Sequence, residues 1–200
     1  MAIVQGSRFK SASLHHWVHA PSHRHSALTI TLHWASVFAI LASVVCGLWR
    51  EFIEHDALRA VLLDLHRQFG LIVLLALCLR LFNRLRYGMA SHAGELPALM
   101  RWAAMGSHLA LYGALLAMPL LGVAVSQAHD VPVRFMGLLP LPALVPADAD
   151  LADELSSLHV NLAWALLALV TLHVAAACWH QVVRRDGVLA GMLPLVRRRR

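Results

Sequence analysis

The chain has 200 residues, 59% of them hydrophobic and only 14% charged, with a mean hydropathy of +0.63; soluble domains hold about 45 to 50% apolar residues, so an ordinary soluble fold is excluded. A formal net charge of +6 does not signal nucleic acid, because the basic residues flank apolar runs instead of forming a patch interleaved with aromatics. Cys46, Cys78 and Cys178 lie within apolar stretches without CxxC or CxxCH spacing, so neither a zinc site nor covalent haem attachment is expected.

Residues 1–25 read as an amino-terminal extension. They are too polar for a signal peptide, and His15, His16, His19, His23 and His25 make a loose cluster within them. That composition reads more readily as a His-rich tail than as a metal site. Four apolar runs follow, over about 28–49, 62–82, 103–125 and 158–183, each close to the roughly 20 residues that a membrane-spanning helix needs. The expected fold is an all-α four-helix transmembrane bundle over residues 26–186, with a basic tail at 187–200.

The first run contains His33. The second opens on Asp64, His66 and Arg67, with Arg80 near enough to its far end to snorkel. The third carries His108 early and Pro119 late, where a kink is expected. The fourth holds His159, His173 and His180 and ends at Arg184 and Arg185. The segment 127–157, rich in proline and acid, is long for a connection and is expected to hold a short surface helix.

Arginine and lysine place the orientation. Arg8, Lys10, Arg24, Arg84, Arg86, Arg101, Arg184, Arg185 and the terminal arginines fall on one side; Arg50, Arg59, Arg67 and Arg134 fall on the other. The positive-inside rule then puts both termini in the cytoplasm. The outer connections hold nine acids (Glu51, Glu54, Asp56, Asp64, Asp130, Asp148, Asp150, Asp153, Glu154) against four arginines, a net of −5.

Ionisable groups inside spans are costly, which makes the intramembrane histidines candidates for function. Imidazole is a common axial ligand of haem iron, and a low-spin haem takes one from each side. His159 and His173 stand 14 positions apart, nearly four helical turns and about 21 Å along the axis, so one helix can present both on one face. Depth selects their partners: His33 with His173, and His66 with His159. Taken singly, each histidine reads equally well as a helix–helix hydrogen-bond donor. As a set matched in depth and phase, the four read as ligands of two b-type haems.

His108 lies at the depth of the His33–His173 pair and reads as a substitute ligand, part of a quinone pocket, or an interfacial hydrogen bond. His180 belongs with headgroups or a propionate. Arg67, next to a ligand, is the preferred partner for a haem propionate, ahead of Arg80 and Arg101. Gly70, one turn after His66, and the small run Ala175 to Ala177 leave room for a flat macrocycle.

HSALTITLHW, HRQFG, HLALYG and LHVNLAWALLALVTLHVAAA resemble the corresponding segments of the prokaryotic cytochrome b561 family, over about His25 to Arg185. The resemblance implies a diheme cytochrome b of the bacterial inner membrane, with ligands at His33, His66, His159 and His173. Some members of the family oxidise superoxide on the outer side and reduce ubiquinone, and in such members the histidine matching His108 lies close to the quinone region. The family is also similar to the cytochrome b subunits of hydrogenases and formate dehydrogenases. The expected partners are the lipid bilayer, a quinone, and superoxide or a periplasmic redox protein, although the acidic outer face disfavours an approaching anion. Two other readings stay open: the anchor of a periplasmic oxidoreductase, with the acidic loop as its docking surface, and a haem-free transporter using histidines as relays.

Overall fold

The computed structural model of the protein describes residues 26–87 and 98–194. The amino-terminal histidine cluster and the last arginines lie outside the described residues. Helix α1 spans Ala27–Trp49 and continues into a 3-10 turn at Arg50–Phe52. Helix α2 spans Asp56–Tyr87, α3 Ala98–Ala128 and α4 Ala149–Trp179. Between α3 and α4 a short antiparallel hairpin pairs β1, Arg134–Phe135, with β2, Leu139–Pro140. All four helices are long and apolar enough to cross a membrane.

Helices α1 and α4 start where side chains satisfy their first amides. The Ser26 Oγ accepts from the Thr29 N–H at 3.2 Å, and the Asp148 Oδ1 accepts from the Leu151 N–H at 2.9 Å; both are N-cap bonds. Asp148 accounts for a departure from the sequence reading. The acidic run after it is the first turns of α4 and forms no separate surface helix, because carboxylates are favoured at the positive end of a helix. Helix α2 likewise starts before the apolar run and outlasts it. Helix α3 runs through Pro119 without interruption.

Consecutive helices pack side by side: α1 along α2, α2 against α3, and α3 along α4. Their shared core is made of Ala39, Val73, Leu77, Ala114, Leu115 and Leu166. Alanines at these contacts let backbones approach, which matters in a bilayer because lipid is as apolar as leucine and packing supplies the association. Helices α1 and α4, by contrast, have no extended backbone contact. Phe38, Leu41, Leu167 and Leu172 point outward and are more than half exposed, as side chains facing lipid are.

Polar links fix the bundle. The Asn83 Nδ2 donates to the Thr29 Oγ1 at 3.1 Å, joining α2 to α1. Beyond α4 the chain passes through a wider, π-helical turn at His180–Arg184. It then folds back so that the Trp34 Nε1–H donates to the Met192 carbonyl at 2.8 Å.

Candidate haem-ligand site

The histidines of the spans fall into two groups. Towards one end of the bundle, His66 of α2 and His159 of α4 face each other with ring centroids 6.1 Å apart and planes at 75°. Towards the other, His33 of α1 lies 6.5 Å from His173 of α4, at 53°. His108 of α3 joins that second group, 5.7 Å from His173 and at 86°. These are the pairings expected from depth and phase. The His33–His173 pair bridges α1 and α4 and the His66–His159 pair bridges α2 and α4, in each case helices that do not pack along each other.

The ring of His66 is held from α1. Its Nδ1 lies 2.8 Å from the Ser43 carbonyl oxygen and 3.1 Å from the Ser43 Oγ. The carbonyl can only accept, so Nδ1 carries the proton and the Nε2 lone pair remains for coordination. Orienting a ligand imidazole through its second nitrogen is a common device of metal sites. The Ser43 Oγ in turn donates to the His66 carbonyl at 3.1 Å.

Glycines back both rings at this end. A Cβ at Gly47 would stand 2.8 Å from the His66 Nδ1, and one at Gly122 would stand 3.2 Å from the His159 Cε1. The sequence reading did not single out either of them; at Gly70, which it named as room for a macrocycle, a Cβ would meet nothing within 4 Å. Finding Gly47 and Gly122 requires the helix-to-helix register, which a single sequence does not supply.

The residues fit axial ligation of two haems. Haem iron takes imidazole ligands in pairs, and in each pair here two imidazoles face each other, with ring centroids 6.1 and 6.5 Å apart. The bland alternative, histidines kept as helix–helix hydrogen-bond donors, fits His159 poorly: its Nδ1 is buried and has no hydrogen-bond partner among the described residues. Among those residues no group of three or more His, Cys, Asp or Glu side chains is arranged to hold a bare metal ion. Each pair offers two nitrogens, the complement of a macrocycle that brings four of its own.

Other expected residues take different places. The Arg67 Nε donates to the Ser126 Oγ at 3.0 Å, tying α2 to α3. Arg80 lies over the Tyr112 ring, 5.6 Å from its centroid. His180 stands apart from both pairs: its Nδ1 donates to the Asp186 Oδ2 at 2.5 Å, while its ring meets Trp179 edge-on at 5.3 Å. The His108 Nδ1 donates to the Ala104 carbonyl one turn back at 2.6 Å, which leaves its Nε2 as an acceptor.

A family profile described as "Prokaryotic cytochrome b561" matches residues 24–195. "Cytochrome b561 homolog 2" of Escherichia coli (strain K12) is 28% identical over 174 residues, covering 85% of this chain and 91% of the relative. "Cytochrome b561 homolog 1" of the same organism is 27% identical, covering 86% and 97%. "Probable superoxide oxidase CybB" of Yersinia pestis is 25% identical, covering 86% and 96%. With the profile spanning nearly the whole chain, the protein belongs to the prokaryotic cytochrome b561 family.

Proposed function

We propose that the chain is a diheme cytochrome b of the bacterial inner membrane that passes electrons between a periplasmic donor and the quinone pool. The observation that carries this reading is the pair geometry: two facing histidine pairs, each with one member on α4, at two depths of one bundle. Haem b bound at both pairs would supply one-electron redox centres at those depths.

The chain's own residues set the conditions. His66 and His159 would hold one group, with the Ser43 carbonyl fixing the His66 ring. His33 and His173 would hold the other. His108, with Nδ1 engaged by Ala104, presents Nε2 beside His173, where it can exchange a proton with a quinone oxygen. Arg67 keeps its Nε on Ser126 and has its terminal nitrogens for a propionate. The placement of arginines supports cytoplasmic termini, and with that orientation the His66–His159 pair would lie towards the periplasm.

Superoxide, named for one relative, is the donor to test first. The acidic first turns of α4, with Asp148, Asp150, Asp153 and Glu154, weigh towards a cationic or protein donor instead.

A reduced-minus-oxidised spectrum with a haem assay on the purified protein tests the reading. Two b-type haems per chain are expected. His66→Ala or His159→Ala should remove one and His33→Ala or His173→Ala the other. No b-type band would end the proposal, and retention of both haems in every variant would overturn the ligand assignment. Reduction of a quinone analogue with superoxide as donor then decides the substrate.

A further inference from the structure

Arg80 lies within a span, where a charged side chain is costly and normally faces the bundle interior or a partner. A guanidinium does not escape that cost by losing its proton. Helix α2 runs on for seven residues beyond it, to Tyr87, about 10 Å of helix.

Its depth is that of a histidine pair. The contacts Ser43–His66 and Thr29–Asn83 run in opposite senses along α1 and α2, so the two helices are antiparallel. Arg80, about one turn inside Asn83, is therefore level with His33, about one turn inside Thr29.

Its direction follows from the repeat that relates the two histidines of α4. Arg80 follows His66 by 14 positions, as His173 follows His159, nearly four turns in each case. His66 faces His159, so Arg80 stands on the side of α2 that faces the level of His173. It is close enough for its charge to act on the His173 ring. Beside the His33–His173 pair an arginine thus takes the place on α2 that a ligand takes at the other pair.

The guanidinium is also held. Its Cζ lies 5.6 Å from the centre of the Tyr112 ring, within cation–π range. Tyr112 is one turn beyond His108 on α3. Arg84 steadies that ring, with its Cζ 5.4 Å from the centre and its Nη1 donating to the hydroxyl at 3.4 Å. Among the described residues no carboxylate pairs with Arg80; the one described acid at this end, Asp186, is taken by His180 and Arg184.

We propose that Arg80 binds a propionate carboxylate of the haem held by His33 and His173, with Tyr112 positioning the guanidinium. The proposal rests on the diheme reading above. Each haem b brings two propionates, and the fork of a guanidinium meets a carboxylate through two parallel hydrogen bonds. The partner is the propionate and not a lipid phosphate, because Arg80 is half-buried at the depth of the ligands, whereas Arg86 and Arg101, nearer the ends of their helices, are exposed.

The test is a redox titration of the full chain in detergent, with the potential lost in His33→Ala marking the haem concerned. A cation at the propionate favours the reduced, more negative haem. Arg80→Gln should keep both haems and disfavour reduction of this one by about tenfold, which is about 59 mV for a one-electron couple, leaving the other unchanged. The comparison is repeated on the full chain prepared without haem and loaded with haem b dimethyl ester, which has no carboxylate to bind; the shift should then fall by at least half. A potential unmoved by Arg80→Gln would overturn the proposal and leave the guanidinium to a lipid phosphate. A shift of equal size with the ester would overturn it too, since the charge would then act without the propionate. Should Arg80→Gln fail to insert, Arg80→Met suits the apolar span and gives the same reading. A parent chain without two haems fails the diheme reading itself, a result that the haem assay shows before any titration.

Discussion

The His66 Nδ1 and the Ser43 carbonyl oxygen lie 2.8 Å apart across the α1–α2 contact, and the room for that bond is the missing side chain of Gly47. A methyl at position 47 would come to 2.8 Å from the same Nδ1, closer than non-bonded atoms tolerate, so the ring or the helix must move. Overpacking of this kind costs about 1–3 kcal/mol.

Gly47→Ala should therefore lose the haem of the His66–His159 pair while keeping the other, giving one haem per chain in a pyridine haemochrome assay. Ser43→Ala is the contrasting variant. It keeps the main-chain acceptor and loses only the Oγ contacts, at about 1 kcal/mol, so both haems should remain. Full haem content in Gly47→Ala would show that His66 is not held as described.

His108 and His33 both face His173, at 5.7 and 6.5 Å between centroids, so distance alone does not separate ligand from neighbour. Helix position does: His33 is on α1, across the gap between α1 and α4, whereas His108 is on α3, which packs along α4 and leaves less width for a macrocycle. His108→Gln should keep two haems and slow the reduction of a quinone analogue by about 100-fold, the lower end of the range for losing a positioned acid–base group. Loss of a haem in His108→Gln with retention in His33→Ala would reverse the two roles.

Asp186 supplies a pH-dependent contact outside the spans. Burial pushes its carboxyl up, but hydrogen bonds from the His180 ring and the Val188 N–H, with the charges of His180 and Arg184, hold it below its ordinary value. A carboxyl depressed in the folded state adds stability above its unfolded pKa of about 4 and loses it as pH falls through the lower folded value. The turn after α4 should thus be protected from hydrogen exchange at pH 7 and loosened below about pH 4. Asp186→Asn should show the loosened pattern already at pH 7, with exchange over 180–194 as the measurement. Equal protection in the two proteins would remove this role.

How much of this was legible in the sequence depends on how local the signal is. The spans follow from hydropathy alone, and His159 with His173 follows from the helical repeat. Their partners were found by depth, a quantity that apolar run lengths carry. Contacts between helices were not legible. Gly47 behind His66, Gly122 behind His159 and Ser43 as the acceptor all depend on register between chains of side chains, and so does the capture of Arg67 by Ser126. The hairpin was missed for another reason: LLPLPALVP reads as loop because proline breaks both periodicities, and the side-chain amide of Gln68 that ties Arg134 and Met136 to α2 is announced by no pattern.

Arg67 gives the last prediction. Its Nε donates to the Ser126 Oγ at 3.0 Å, and that hydroxyl donates to the Gly122 carbonyl at 3.0 Å. Ser126 is 4% exposed, so the chain of bonds runs from a cation on α2 to the α3 turn that backs His159. Ser126→Ala removes the acceptor and leaves the Nε unmatched in a partly buried place. Hydrogen bonds to charged groups contribute about 1.5–3 kcal/mol, and a loss of that size is expected in reversible unfolding, with Ser126→Thr restoring most of it because the hydroxyl is kept. Since Gly122 moves with this turn, Ser126→Ala should also shift the midpoint potential of the haem at the His66–His159 pair and leave that of the other unchanged. A change within about 0.5 kcal/mol of the parent, the range of ordinary surface substitutions, would mean that the Arg67–Ser126 bond contributes nothing to holding α2 and α3 together.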